Sequence, residues 1–350
     1  MTGLYILVVS ATGGALVFRS EMQRASAPRL FHEATPGTPR APVATVARAL
    51  EAAYPDYRLV GVDAPTAMRR NFLAYEAKGD AFLTVFVDAS TGEVLGELPP
   101  QLFVARLQEW HVSLMAGPKG RTANGIGAFC LLLLAASGVI VWWPGLGRVR
   151  RALGVRFGGS WKRVTWELHG AVGIWSAALL MMWAVTGASF IFSKPFRAIV
   201  SRLSTLTVAP RLTSDVELAG RRPAPELGSL IATAAQALPD AEFVRVVMPA
   251  TDRAPLLVVM THPGVTRAQD DSNVSFFFDQ YSGVLLQRWD AAPRTAGDHV
   301  MAAIVPLHFG GFGGTGVRIA WALAGLSPAV LFATGALMWW TRVVAGRRRS

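Results

Sequence analysis

Two histidines, His111 and His308, head matching stretches 197 residues apart. Laid over each other without a gap, 111–143 and 308–340 match Gly117 to Gly314 and Arg121 to Arg318. They also match Gly138 to Gly335 and Trp142-Trp143 to Trp339-Trp340. Self-similarity at a fixed offset marks two copies of one structural unit. Each copy brings a His to the same end of a long apolar run. An isolated His there reads as an interfacial residue among headgroups. Two at equal depth, related by a pseudo-two-fold axis along the membrane normal, read instead as facing ligands in a bundle core. Imidazole is a common axial ligand of haem iron, so the pair predicts one shared low-spin haem b held by His111 and His308.

A third candidate is His169, with Gly173 one turn later on the same face. Such a Gly lets a flat macrocycle or another helix approach closely, and ligation and close packing both fit these residues. Arg121 and Arg318 each follow the repeated His by ten positions. They could pair with haem propionates or snorkel to the interface. His32, His262 and His299 have no counterpart in the other half and read as surface residues. Gly311-Phe-Gly-Gly-Thr-Gly316 matches G-x-G-x-x-G but follows no βαβ strand, so it reads as a helix break or as backbone beside a cofactor. Thr186 and Thr334, each before a Gly, read as bonding the preceding turn's carbonyl. No H-E-x-x-H, no G-x-S-x-G and no intramembrane carboxylate pair supports a hydrolase, and no catalytic residue is assigned.

The 350 residues are 52% hydrophobic and 16% charged, with mean hydropathy +0.35, too apolar for an ordinary soluble domain. Apolar runs at 126–143, 172–192 and 317–340 approach or reach the length that crosses a core of about 30 Å. The run at 4–18, at about 1.5 Å per residue, gives roughly 22 Å and is short by roughly 8 Å. The net charge of +11 is topology rather than nucleic-acid binding. Arg148, Arg150, Arg151, Arg156, Lys162 and Arg163 follow one apolar run, and Arg342, Arg347, Arg348 and Arg349 follow another. The positive-inside rule places both clusters in the cytoplasm. The single Cys130 excludes an internal disulfide.

These signals predict an α-helical membrane protein: a four-helix bundle with two extracytoplasmic α+β domains in two parallel repeats. Its segments are helix 1 at 1–18, a first polar domain at 19–106, and helix 2 with a preceding interfacial segment at 107–143. A basic loop follows at 144–164, helix 3 at 165–192, and a second polar domain at 193–298. An interfacial segment with helix 4 at 299–340 and a basic tail at 341–350 complete the chain. Within the polar domains, helical periods fall at 42–53 and 227–238. Strands are expected at 71–76, 81–87, 93–98, 256–260, 274–278 and 284–286.

Several motifs now stand in a defined order: Val87-Asp-Ala-Ser-Thr-Gly-Glu-Val-Leu95, Trp166-Glu-Leu-His169 with Gly173, Thr186-Gly187, Phe278-Asp-Gln-Tyr-Ser-Gly-Val-Leu285, Pro306-Leu-His308 and the Gly-x3-Trp-Trp endings. In this order the chain resembles the PepSY-associated membrane proteins over nearly its whole length. The resemblance implies PepSY-like polar domains, a bacterial inner-membrane location with both termini cytoplasmic and the large domains periplasmic, and similarity to haem-containing ferrisiderophore reductases. It favours His169 as a ligand of a second haem. It implies a ferric siderophore or other ferric chelate as acceptor, the lipid bilayer as a partner and no nucleic acid. The chain carries no flavin or nicotinamide motif, so the donor would be a quinol or a separate reductase. A rival from another class is a non-enzymatic membrane protein whose polar domains bind or regulate an envelope partner. A third is an accessory to metal or siderophore transport. Aligning Thr12-Gly13 with Thr186-Gly187 places the counterpart of His169 upstream of Met1. With the short first helix, this predicts an earlier start of the reading frame, one complete haem site in the chain as given, and an incomplete second.

Overall fold

The structure is a computed structural model that describes residues 2–31, 38–66, 69–99, 102–221, 223, 225–262, 273–290, 292 and 294–344. In chain order its elements are α1 (Thr2–Leu16), α2 (Arg19–Ser26), α3 (Val43–Ala53), β1 (Arg58–Asp63), β2 (Phe72–Lys78), β3 (Ala81–Val87), β4 (Val94–Glu97), α4 (Leu102–Ser113), α5 (Gly117–Trp142) and α6 (Val149–Ala152). There follow α7 (Trp161–Ile191), α8 (Ser193–Leu203), α9 (Leu227–Ala237), β5 (Glu242–Val247), β6 (Leu256–Thr261), β7 (Asn273–Phe278), β8 (Leu285–Asp290), α10 (Ala296–Phe309), α11 (Gly314–Gly325) and α12 (Ser327–Trp339). They form two compact units. One holds Met1–Arg19, Leu102–Ser204 and Ala303–Ser350, the other Ser20–Gln101 and Thr205–Ala302.

The first unit is helical. Three of its helical runs are long and apolar enough to cross a membrane: α5, α7 and the run 314–343 that joins α11, α12 and a π-helical turn. α1 passes the same test only together with α2, most of which belongs to the second unit, as one broken run. Proline sets two of the starts. Pro118 lies in the first turn of α5 and Pro328 in that of α12, where a missing N–H costs nothing. The buried stripe of α7 is Ala171, Ser176, Ala177, Leu180, Ala184, Thr186, Ala188 and Ser189. Without a hydrophobic drive between helices in lipid, small residues of this kind let backbones pack closely.

The second unit is one antiparallel sheet of eight strands, in the order β4-β3-β2-β1-β5-β6-β7-β8. The two polar domains expected from the sequence are therefore halves of one body. They are joined where β1 pairs with β5 (Gly61 to Val247, Val62 to Val246, Asp63 to Arg245). β1 and β5 are also strands that the hydrophobic pattern did not mark. The halves repeat in detail. Register shifts fall between Leu59 and Gly61 in β1 and between Phe243 and Arg245 in β5. They recur between Phe86 and Val87 in β3 and between Phe277 and Phe278 in β7. One face packs on α3 and α9, and Val46, Leu50, Val62, Phe72, Ala234, Val246, Phe276 and Phe278 form a continuous core. The turns after β3 and β7 match as well. Asp88 Oδ1 accepts from the N–H groups and hydroxyls of Ser90 and Thr91. Asp279 Oδ1 accepts from the N–H groups of Tyr281 and Ser282 and from the Ser282 hydroxyl. Gly92 and Gly283 close the turns at φ of 75° and 71°, a conformation that suits glycine. Burial works against ionisation of both aspartates, but these donors, with the Asp215 N–H that donates to Asp279 Oδ2 at 2.6 Å, hold the carboxyls below the usual carboxylate range.

One residue breaks the apolar rule of this core. Glu76 is 2% exposed on the same side of β2 as Phe72 and Ala74. Its counterpart in β6 is Met260, since Ala74 pairs with Val62 as Val258 pairs with Val246. Burial raises the Glu76 carboxyl from its ordinary 4.5 to about 6. The folded pKa lies above the unfolded one, so the stability this group contributes is full below about pH 4.5 and is lost as pH rises through 6. Glu76→Met should stabilise the protein by about 1–2 kcal/mol at pH 8 and flatten the dependence of Tm on pH between 5 and 8. Melting curves of both proteins at pH 4.5 and 8 check this; an equal Tm gain at both values would contradict it.

Candidate functional site

His111 closes α4 and His308 closes α10, two short helices that precede α5 and α11. Side chains at repeat-equivalent positions clamp both. Asn124 of α5 donates through Nδ2 to the His111 carbonyl at 2.6 Å, and Trp321 of α11 donates through Nε1 to the Leu307 carbonyl at 2.7 Å. Tyr5 of α1 donates its hydroxyl to Asn124 Oδ1 at 2.7 Å, which ties α1 into the first clamp. The reverse turn after α4 is strained. Leu114 and Met115 sit at φ of 51° and 59°, a region that non-glycine residues rarely enter.

These supports bring the two rings face to face across the repeat. Their centroids lie 6.2 Å apart, with planes inclined by 55°. Metal–imidazole bonds of about 2.0–2.1 Å, added to about 1.1 Å from each nitrogen to its ring centre, call for roughly 6.3 Å. Both Nδ1 atoms are engaged by the helices that carry the rings' supports. His111 Nδ1 lies 3.0 Å from the Val9 carbonyl and 3.5 Å from Thr12 Oγ1, and His308 Nδ1 lies 2.8 Å from Thr186 Oγ1. Phe190 and Phe309 meet the His308 ring edge to face at 5.2 and 5.3 Å.

His169 does not join the pair. Its Nδ1 lies 2.8 Å from Thr334 Oγ1 on α12. All three rings rest on a Thr-Gly dipeptide. A Cβ on Gly13 would meet His111 Cε1 at 2.7 Å, one on Gly187 would meet His308 Cε1 at 3.6 Å, and one on Gly335 would meet His169 Cε1 at 3.5 Å. The sequence reading noted the Thr-Gly pairs but gave their hydroxyls only to backbone; the signal it passed over was their recurrence at repeat-related places. A fourth pair, Ser137-Gly138, is the repeat counterpart of Thr334-Gly335. Among the described residues nothing lies within 4 Å of where a Gly138 Cβ would point.

The two arginines also behave alike. Arg318 is 7% exposed, donates to the Val17 carbonyl at 2.6 Å and lies over the Phe18 ring at 5.2 Å. Arg121 reaches the Phe190 carbonyl at 3.5 Å. Each thus meets the carbonyl end of the first long helix of the other half, Arg121 that of α7 and Arg318 that of α1, where the dipole favours a cation. His299 is exposed and His262 half-buried at the end of β6; His32 lies outside the described residues. Among the described residues no three or more His, Cys, Asp or Glu are grouped to hold a metal ion. An ion between His111 and His308 would therefore need most of its ligands from elsewhere, as a macrocycle supplies them.

Chain comparison points to a membrane-protein family. A Pseudomonas aeruginosa protein described as uncharacterized is 28% identical over 258 residues, which cover 66% of this chain and 62% of that one. The model of the PepSY-associated TM region matches residues 1–342. The chain, with its long apolar helices and its eight-stranded sheet, belongs to the PepSY-associated transmembrane family.

Proposed function

We propose that this chain is an inner-membrane b-type haem protein that passes electrons across the membrane to reduce a ferric chelate such as a siderophore. The observation that carries the reading is the 6.2 Å pairing of His111 and His308, with both Nδ1 atoms already engaged by partners on α1 and α7. The residues fit the group. Two imidazoles are offered, Gly13 and Gly187 let the rings lie against their helices, and Arg121 and Arg318, ten positions on, would answer the propionates. Bound there, the iron would supply one-electron transfer. The chain's own part is to fix both imidazoles, to flank the His308 ring with Phe190 and Phe309, and to hold the site at one end of the bundle. His169 on its Thr334 seat would ligate at the other end.

The orientation follows the basic clusters: the loop 144–164 and the C-terminus in the cytoplasm, the sheet unit in the periplasm, four spans in two parallel repeats. A quinol or a separate reductase would be the donor. A quinol oxidised to a quinone yields two electrons and two protons, which matches the one-electron reduction of two ferric ions. The test uses right-side-out vesicles that hold the whole protein and a quinol, with a ferric siderophore outside and a ferrous-specific chelator as reporter. Ferrous iron should form outside, and His308→Ala should abolish it. Silence from vesicles that show a full haem spectrum would sink the reductase reading.

A further inference from the structure

We propose that Thr186 and Thr334 are positioning residues that lock His308 and His169 in the Nδ1–H tautomer and so dedicate each Nε2 to a ligand. The argument is one of proton bookkeeping. A threonine hydroxyl has one proton. Thr186 donates its proton to the Met182 carbonyl at 2.8 Å, and Thr334 donates to the Val330 carbonyl at 2.6 Å. What each Oγ1 can offer the imidazole 2.8 Å away is a lone pair. The contact is a hydrogen bond only if Nδ1 is the donor, and a neutral imidazole with its proton on Nδ1 carries its free lone pair on Nε2. Two of the rings also meet a backbone carbonyl, which can only accept: His111 Nδ1 faces that of Val9 at 3.0 Å, and His169 bonds that of Leu331. The glycine after each threonine completes the seat: with no Cβ, the Cε1 edge of the ring lies against the helix. A hydroxyl that merely satisfied its own helix would not need a ring at 2.8 Å in two places related by no single repeat offset.

The tautomer is readable without haem, while its consequence for affinity rests on the haem reading above. The full chain is labelled with 15N-histidine and purified in detergent without haem, and His308→Gln and His169→Gln variants assign the ring signals. The wild type should show both residues as Nδ1–H. Thr186→Val should convert His308 to a mixture or to the Nε2–H form and leave His169 unchanged. Thr334→Val should do the reverse, and Thr186→Ser should keep the wild-type signal. If Thr186→Val does not fold, Thr334→Val with His169 gives the same reading. A wild type already in the Nε2–H form, or valine variants that keep Nδ1–H, would overturn the proposal. In haem-loaded protein, loss of this acceptor should weaken haem binding 10–100-fold, the usual cost of removing a partner behind a metal-bound imidazole. A wild type that takes up no haem would count against the haem reading and leave the tautomer result standing.

Discussion

Replacing either His111 or His308 with Ala should remove the same bis-imidazole component from the spectrum, and replacing both should remove little more. The non-additivity is the point. Two ligands on one iron act as a unit, so the first loss already destroys the low-spin state and the second has nothing left to break. Two histidines that served separate sites would instead give two different, additive losses. The geometry favours the shared case, with ring centroids 6.2 Å apart and each ring held by its own helix partner. His299→Ala, an exposed position, should leave the spectrum as it is. Single variants that both keep a full bis-imidazole spectrum would show the assignment to be wrong.

The second large effect concerns the sheet. Gly61→Ala should lower stability by about 2–3 kcal/mol, within the usual range for forcing atoms into a packed interior, and should lower Tm by roughly 4–10 °C for a body of this size. A Cβ at Gly61 would meet the Val246 carbonyl at 2.6 Å, and Val246 is on the partner strand of the ladder that joins the two halves among the described residues, β1 with β5. Backbone on backbone has no soft side chain to give way, so the strands must part or the register shift at Leu59 and Gly61 must move. A variant that melts with the wild type would show that the two halves do not depend on this ladder.

How much of this could be read from the chain depends on the range of the signal. The outer strands of each half and α7 are local patterns, so the sequence marks them to within a few residues, whereas α5 begins nine residues ahead of the apolar run at 126–143. β1 and β5 escaped because their pairing joins segments more than 180 residues apart. β1 also carries Gly61 in the middle, where a strand pattern expects a side chain. The placement of His111 against His308 follows from the repeat, an internal comparison that needs no contact map. What the repeat did not give was the support behind each ring. The Val9 carbonyl has no sequence signature at all. Asn124 and Trp321 do the same work at equivalent positions with unrelated side chains, so aligning the repeats hides the equivalence. Arg121 and Arg318 were read as propionate partners or interfacial residues, and their bonds to the carbonyls of Phe190 and Val17 add a helix-end role that ten-residue spacing alone could not show.

The most direct measurement is the reduced-minus-oxidised absorption spectrum of the whole protein, purified in detergent from haem-replete cells, with its haem counted against protein. The account predicts a low-spin, bis-imidazole b-type spectrum with at least one haem per chain, lost on replacing His111 or His308. A folded protein with no haem absorption, or with haem that survives both replacements unchanged, would contradict it.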